Sequence, residues 1–220
     1  MVILALDTSG DSCSVAVARS ETVLVTYHFR HERRLSERLN GTIDFVLRDA
    51  GVSLAETEAI AVGVGPGSFT GVRVGVTLAK TLALVREIPV LGVSSLNALV
   101  EPVAALTGNP IVAAVPTRRT ESIAAFFTAG SVEPVLPPAV YANDTLMAVA
   151  RQSLGDGELL LLGEAATSIR AVTPDRRVIF RPAFPGADAV ARLAAPRLIL
   201  GESDDVETLV PRYVAPTPVG

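Results

Sequence analysis

Apolar positions along the chain follow two rhythms. Residues 2–7, 13–18 and 22–29 are short runs rich in Val, Leu and Ala, separated by Asp11-Ser12 and Ser20-Glu21. Such runs with tight connections predict a three-strand meander. Leu35, Leu39, Ile43, Val46, Leu47 and Ala50 then recur at helical spacing, with Arg34, Arg38 and Arg48 on other faces, and Gly51 closes that helix. A strand over 59–64, a helix over 70–86 and a strand over 90–93 follow. Ser94-Ser95 predicts the cap of a further helix to about residue 106, bent at Pro102. From Gly108 the grammar restarts: strands at 111–115, 122–128 and 132–136, a helix capped by Asn143 to about 153, then a strand at 159–162. A helix at 164–171, a strand at 178–180, a helix from Gly186 to 195 or beyond and a Pro-rich tail complete it. The order β-β-β-α-β-α-β therefore occurs twice, a repeat of elements rather than of sequence. It predicts an α/β protein of two domains, 1–106 and 107–220. The second is trimmed, with a C-terminal helix and tail that can pack back on the first.

The stretch 61–86, AVGVGPGSFTGVRVGVTLAKTLALVR, joins a buried strand end, a glycine-rich loop and a long helix. Gly65, Pro66 and Gly67 stop the strand, and Ser68 or Thr70 can cap the helix. A strand, glycine loop and helix N-terminus aim backbone N–H groups at an anion, and the same grammar serves an ordinary strand-to-helix turn. In the helix, Arg73, Thr77, Lys80 and Thr81 form one narrow polar stripe, and nearly every other position is Val, Leu, Ala or Gly. A helix apolar nearly all round is covered on more than one side. Gly71, Gly75, Ala79 and Ala83 recur every four residues, a small-residue ridge that lets a second helix come close.

Composition narrows the function classes. The 220 residues are 49% hydrophobic, ample for a core, with no run long enough to cross a bilayer. Residues 1–6 are apolar but lead into Asp7 without a basic leader, which reads as a first strand in a cytoplasmic protein. Cys13 is the single cysteine, so neither a disulfide framework nor a thiolate metal cluster is expected. The formal net charge of −4 excludes a general attraction to nucleic acid or anionic membrane.

Four motifs carry a family resemblance. They are I-L-A-L-D-T-S near the start, G-P-G-S-F-T-G-V-R-V-G over 65–75, G-V-S-S-L over 92–96 and P-R-Y-V over 211–214. With the doubled element order they make the chain resemble the TsaB (YeaZ) family, across its whole length but most densely in the first hundred residues. The resemblance implies an actin-like ATPase (ribonuclease H-like) fold and a non-catalytic paralogue of the transferase TsaD. Such a subunit takes part in forming threonylcarbamoyladenosine at the adenosine beside the anticodon of tRNA. The partners implied are a TsaD-like catalytic subunit, a TsaE-like ATPase and a second copy as homodimer, with tRNA met only through the complex. The contacts implied run along the first two helices, here at Leu35, Leu39, Ile43, Gly71, Val72, Gly75, Val76, Ala79 and Ala83. No cofactor is required by this reading, and ATP or ADP would bind only within a complex.

Two His at i and i+4 on a helix can share a metal. Only His28 and His31 occur, and Leu35 stands four residues after His31. A two-ligand site completed by Glu32 is the weak remainder, so no metal-dependent transferase site is expected. Asp7, Thr8 and Ser9 hold the place of a phosphate hairpin, with Asp7 able to orient a hydrated cation and Thr8 and Ser9 to donate. A turn whose side chains satisfy their own backbone is the alternative. The matching hairpin of the second half reads P-T-R-R-T over 116–120, where the family usually shows an acidic D-A-R. Pro116 thus removes the second carboxylate, while Arg118 and Arg119 could still meet phosphate. A small actin-like ATPase or kinase acting alone is the competing reading. A glycoprotease-type peptidase is weaker, because no G-x-S-x-G elbow occurs.

Overall fold

A computed structural model describes residues 1–30 and 34–214. The described residues form two compact units: Met1–Ala98 with Pro185–Arg212, and Leu99–Phe184 with Tyr213 and Val214. The division falls between Ala98 and Leu99, inside a helix, rather than at residue 106, and the C-terminal helix belongs to the first unit.

In the first unit β1 (Val2–Asp7), β2 (Ser12–Arg19) and β3 (Thr22–Arg30) form the expected antiparallel meander. β4 (Ala59–Gly63) pairs in parallel with β1, and β5 (Val90–Val93) in parallel with β4. The sheet order is β3-β2-β1-β4-β5. Strand side chains alternate between faces, and here the faces differ in size. Leu4, Leu6, Ile60, Val62 and Val64 point to one side. There they meet Leu39, Ile43 and Val46 of α1 (Leu35–Asp49) and Val72, Val76 and Ala79 of α2 (Phe69–Arg86). Ile3, Ala5, Ala16, Ala18, Ala59 and Ala61 point to the other, against the alanines of α6 (Ala187–Ile199). Small residues on both partners let α6 lie close on the sheet. The segment after α6 continues along β5: Asp204 N–H donates to Val90 O at 2.8 Å and Arg212 N–H to Val64 O at 2.8 Å. Lys80, the one lysine of the chain, donates to the carbonyls of Glu207 at 3.0 Å and Leu209 at 2.9 Å and ties this strap to α2.

The second unit repeats the pattern. β6 (Ile111–Arg118), β7 (Glu121–Phe127) and β8 (Ala139–Ala142) are antiparallel neighbours. β9 (Leu159–Leu162) is parallel to β6, and β10 (Val178–Arg181) to β9, giving the order β10-β9-β6-β7-β8. That is the strand order of the first unit. The helices α4 (Leu146–Leu154) and α5 (Ala166–Val172) have 9 and 7 residues against 15 and 18 in α1 and α2, the expected trimming. α3 (Ser95–Ala104) precedes β6 and contains Pro102.

Two local expectations fail. Residues 132–136 are not a strand: Pro134, Pro137 and Pro138 remove ladder donors. Only a single bridge from Phe127 to Pro134 forms there, and the third strand is β8. Nor does Asn143 cap α4. Thr145 holds the cap position without a side-chain cap bond, its Oγ donating back to Ala142 O at 3.2 Å, and Asn143 Oδ1 accepts from Ser122 Oγ at 2.6 Å.

Candidate functional site: a closed hairpin beside a helical groove

The turn from β1 to β2 carries Asp7, Thr8 and Ser9, and all three are buried. Asp7 Oδ1 accepts from Ser9 N–H at 2.8 Å and Ser9 Oγ at 2.6 Å. Asp7 Oδ2 accepts from Ser95 Oγ at 2.7 Å. Ser95 Oγ in turn accepts from Gly65 N–H at 3.2 Å, tying the carboxylate to the glycine loop. Thr8 Oγ donates to Gly71 O at 2.8 Å, and Ser68 N–H donates to Ser9 O at 2.6 Å. The side chains of Asp7, Thr8 and Ser9, the three that could receive a phosphate or steer a cation here, are therefore bound within the chain. Burial raises the Asp7 pKa above the ordinary carboxylate value, and the bonds from Ser9 and Ser95 oppose that rise.

The glycine loop makes this closure possible. A Cβ on Gly71 would stand well under 3.0 Å from Thr8 O, and one on Gly75 equally close to Thr8 Oγ. The first turn of α2 thus lies directly on the hairpin. Ser68 caps α2 as expected, accepting from Gly71 N–H at 3.2 Å. Sequence reasoning missed Ser95, which it read as part of a helix cap. Ser94 caps α3, accepting from Asn97 N–H at 3.4 Å, and Ser95 reaches Asp7 from 88 residues away.

Leu35, Leu39, Ile43, Gly71, Val72, Gly75, Val76, Ala79 and Ala83 are all buried in the first unit. The small-residue ridge faces the hairpin and sheet of its own unit, not a second helix, which corrects the expectation that it is a free docking ridge. What the two helices present outward is a groove of about 500 Å³ whose walls include Asn40, Arg73, Val74, Thr77 and Leu78, with Leu39 beneath. At its end the Arg73 guanidinium lies 5.2 Å from the centre of the exposed Phe69 ring. Exposed Leu84 and Val85 extend the outer face of α2.

Elsewhere, Arg118 and Arg119 lie at the tip of the β6–β7 hairpin, where Arg118 pairs with Glu121 at 3.5 Å. His28 is exposed on β3, opposite Ser14, whose buried Oγ accepts from Ala187 N–H at 2.7 Å. His31 and Glu32 lie outside the described residues. Among the described residues no group of three His, Cys, Asp or Glu side chains is placed to hold a metal, and no helix is long and apolar enough to cross a membrane.

A doubled β-β-β-α-β-α-β architecture with paired hairpins at the strand ends defines the actin-like ATPase class of α/β folds. The ROK hexokinase of Thermus thermophilus shares that fold at a TM-score of 0.50 and 16% identity, over 92% of this chain and 100% of the hexokinase chain. The family model described as TsaD, tRNA N6-adenosine threonylcarbamoyltransferase, matches residues 30–158, more than half of the sequence. The chain belongs to this family, on its TsaB/YeaZ side. The structure of YeaZ from Pseudomonas aeruginosa superposes with a TM-score of 0.81 at 27% identity, over 97% of this chain and 99% of that one. The tRNA threonylcarbamoyladenosine biosynthesis protein TsaB of Escherichia coli is 39% identical over 123 residues, 55% of this chain and 52% of its own length. TsaB of Bacillus subtilis is 42% identical over 99 residues, 45% of this chain and 43% of its own length. The chain thus spans about half the length of the curated relatives it matches.

Proposed function

We propose that this chain is a non-catalytic cytoplasmic subunit in the formation of threonylcarbamoyladenosine in tRNA. It pairs with a TsaD-type transferase and, through that pair, with a TsaE-type ATPase, meeting tRNA only within the complex. The similarity to proteins named TsaB supports the pathway. The closed hairpin carries the non-catalytic part: the donors of Thr8 and Ser9 and the carboxylate of Asp7 are all engaged internally. The groove between α1 and α2 supports the pairing. Its floor is apolar and its rim polar, the anatomy of a protein interface. Burial there supplies roughly 25 cal/mol per Å² before association costs are subtracted. Without the partner, a second copy would cover the same face as an isologous dimer.

Co-purification with a TsaD-type subunit tests this reading. Thr77 is exposed on the groove wall, so Thr77→Arg is expected to keep the wild-type melting temperature and to lose both the transferase partner and the homodimer. A folded Thr77→Arg protein that still captured the partner would show that pairing lies elsewhere. The competing reading is an ATPase or kinase acting alone. Calorimetry of the isolated chain with ATP and magnesium is expected to give no saturable heat, and micromolar binding would displace the scaffold reading.

A further inference from the structure

The second unit holds a concavity that the assembly reading leaves unused. It measures about 590 Å³ and lies where the β6–β7 turn meets the β8–α4 corner and α5. The C-terminal ends of β6 and β8 converge there, the end of an α/β sheet where ligands gather. Asn143 lines it and is only 5% exposed. Its backbone N–H donates to Thr120 O at 2.9 Å, fixing it beside the turn. Its Oδ1 is held by Ser122, while its Nδ2 donates to no described group. A nearly buried amide with half its capacity unused, lining a cavity, is a binding group in wait.

The charges at the mouth give the ligand its class. Arg118 takes up Glu121, which leaves Arg119 and Asp144. Neither makes an ion pair or side-chain hydrogen bond with any described residue. Opposite charges that line one cavity without meeting suit a ligand that carries both signs. The N-terminus of α4 adds a partial positive charge beside Asn143, since Thr145 gives it no side-chain cap. A phosphate would have Asp144 against it, whereas the ammonium group of a zwitterion would be drawn to that carboxylate. Ala142, Ala171 and Val172 supply an apolar wall.

We propose that this cavity binds a small zwitterion of the α-amino-acid class. Its carboxylate meets Arg119 and the Asn143 amide, and its ammonium group meets Asp144. The inference is independent of the pairing proposed above. It is tested on the full chain by following the Asn143 side-chain NH₂ resonances during titration with alanine, propionate, ethylamine and inorganic phosphate. Alanine is expected to shift those resonances saturably in the millimolar range, and the two single-ended analogues much less. Arg119 and Asp144 are exposed, so their variants are expected to fold. Arg119→Ala and Asp144→Asn should each weaken alanine about tenfold, the scale of one charge-assisted bond. Asp144→Asn should at the same time strengthen propionate. Phosphate binding more tightly than alanine, an unchanged Asn143 resonance, or alanine binding indifferent to Asp144→Asn would each overturn the proposal.

Discussion

Gly75→Leu is expected to yield no folded protein, whereas Gly41→Leu, one helix away, folds. Both glycines lie inside helices, and propensity alone would make each replacement favourable by about 0.5–1 kcal/mol. The surroundings reverse that at one site only. A Cβ at Gly41 meets nothing within 4 Å, so the propensity gain stands and stability should rise. A Cβ at Gly75 would stand well under 3.0 Å from Thr8 Oγ, and Leu6 Cδ1 lies 3.5 Å away. Thr8 cannot yield, because its hydroxyl is held by Gly71 O at 2.8 Å and it is fully buried between β1 and α2. Overpacking a core that can adjust costs about 1–3 kcal/mol. Here helix and hairpin must separate, which also breaks the bonds that join them, from Thr8 Oγ to Gly71 O and from Ser68 N–H to Ser9 O. That exceeds a large part of the roughly 5–15 kcal/mol that holds a domain together. Circular dichroism and thermal melting of the two variants decide the matter. A Gly75→Leu protein melting like the wild type would mean that α2 does not lie on the hairpin.

The same residue shows how far the sequence could be read. Spacing revealed that Gly71, Gly75, Ala79 and Ala83 form a ridge and that something approaches it closely. A ridge of small residues has no direction, however: it fits a partner helix or the chain's own hairpin equally well. What decides is Thr8, 63 residues from its Gly71 contact, and no local pattern joins the two. The order of elements along the chain was legible because alternation and helical spacing are local, and the doubled order needed only counting. The split between the large-residue and alanine faces of the first sheet was also written in the sequence, in Ile60 and Val62 against Ala59 and Ala61, but its consequence for α6 was not. Lys80 read as part of a polar stripe, and only the fold shows the strap carbonyls it meets. Asn143 read as a cap because Asn favours caps; its burial against Ser122 follows from the β7–β8 pairing of Ser122 with Tyr141. The candidate site was thus legible in its residue types and illegible in its closure.

Asp7→Asn is expected to be more stable than the wild type at neutral pH, with an advantage that vanishes or reverses in acid. Asn keeps the Oδ1 acceptor that takes two bonds from Ser9, at the same volume. What changes is the buried charge and, at the second atom, the direction of the Ser95 bond, since Nδ2 donates to Ser95 Oγ where Oδ2 accepted from it, as a protonated Asp7 would also do. The folded pKa of Asp7 is raised, chiefly by burial, so the folded state holds its proton more tightly than the unfolded chain does. The stability this contributes is complete below the unfolded value of about 3.9 and is lost as pH rises through the folded value. Glu56 and Asp175 work the other way: both are lowered by hydrogen bonds, from Ser53 and from Arg177 N–H respectively, and their contribution is lost as pH falls. Those two groups are common to both proteins and cancel in the difference. The gap between variant and wild type, from urea unfolding between about pH 3 and 8, should therefore grow with pH and then level off. Its height reads the Asp7 shift at about 1.4 kcal/mol per unit. A gap that shrinks with pH would mean that the bonds from Ser9 and Ser95 outweigh burial, and that Asp7 is held as a stabilised anion able to face a cation. A partner that opened the hairpin would return Asp7 to water and flatten the curve. The same titration on the assembled complex therefore reports whether the hairpin stays shut.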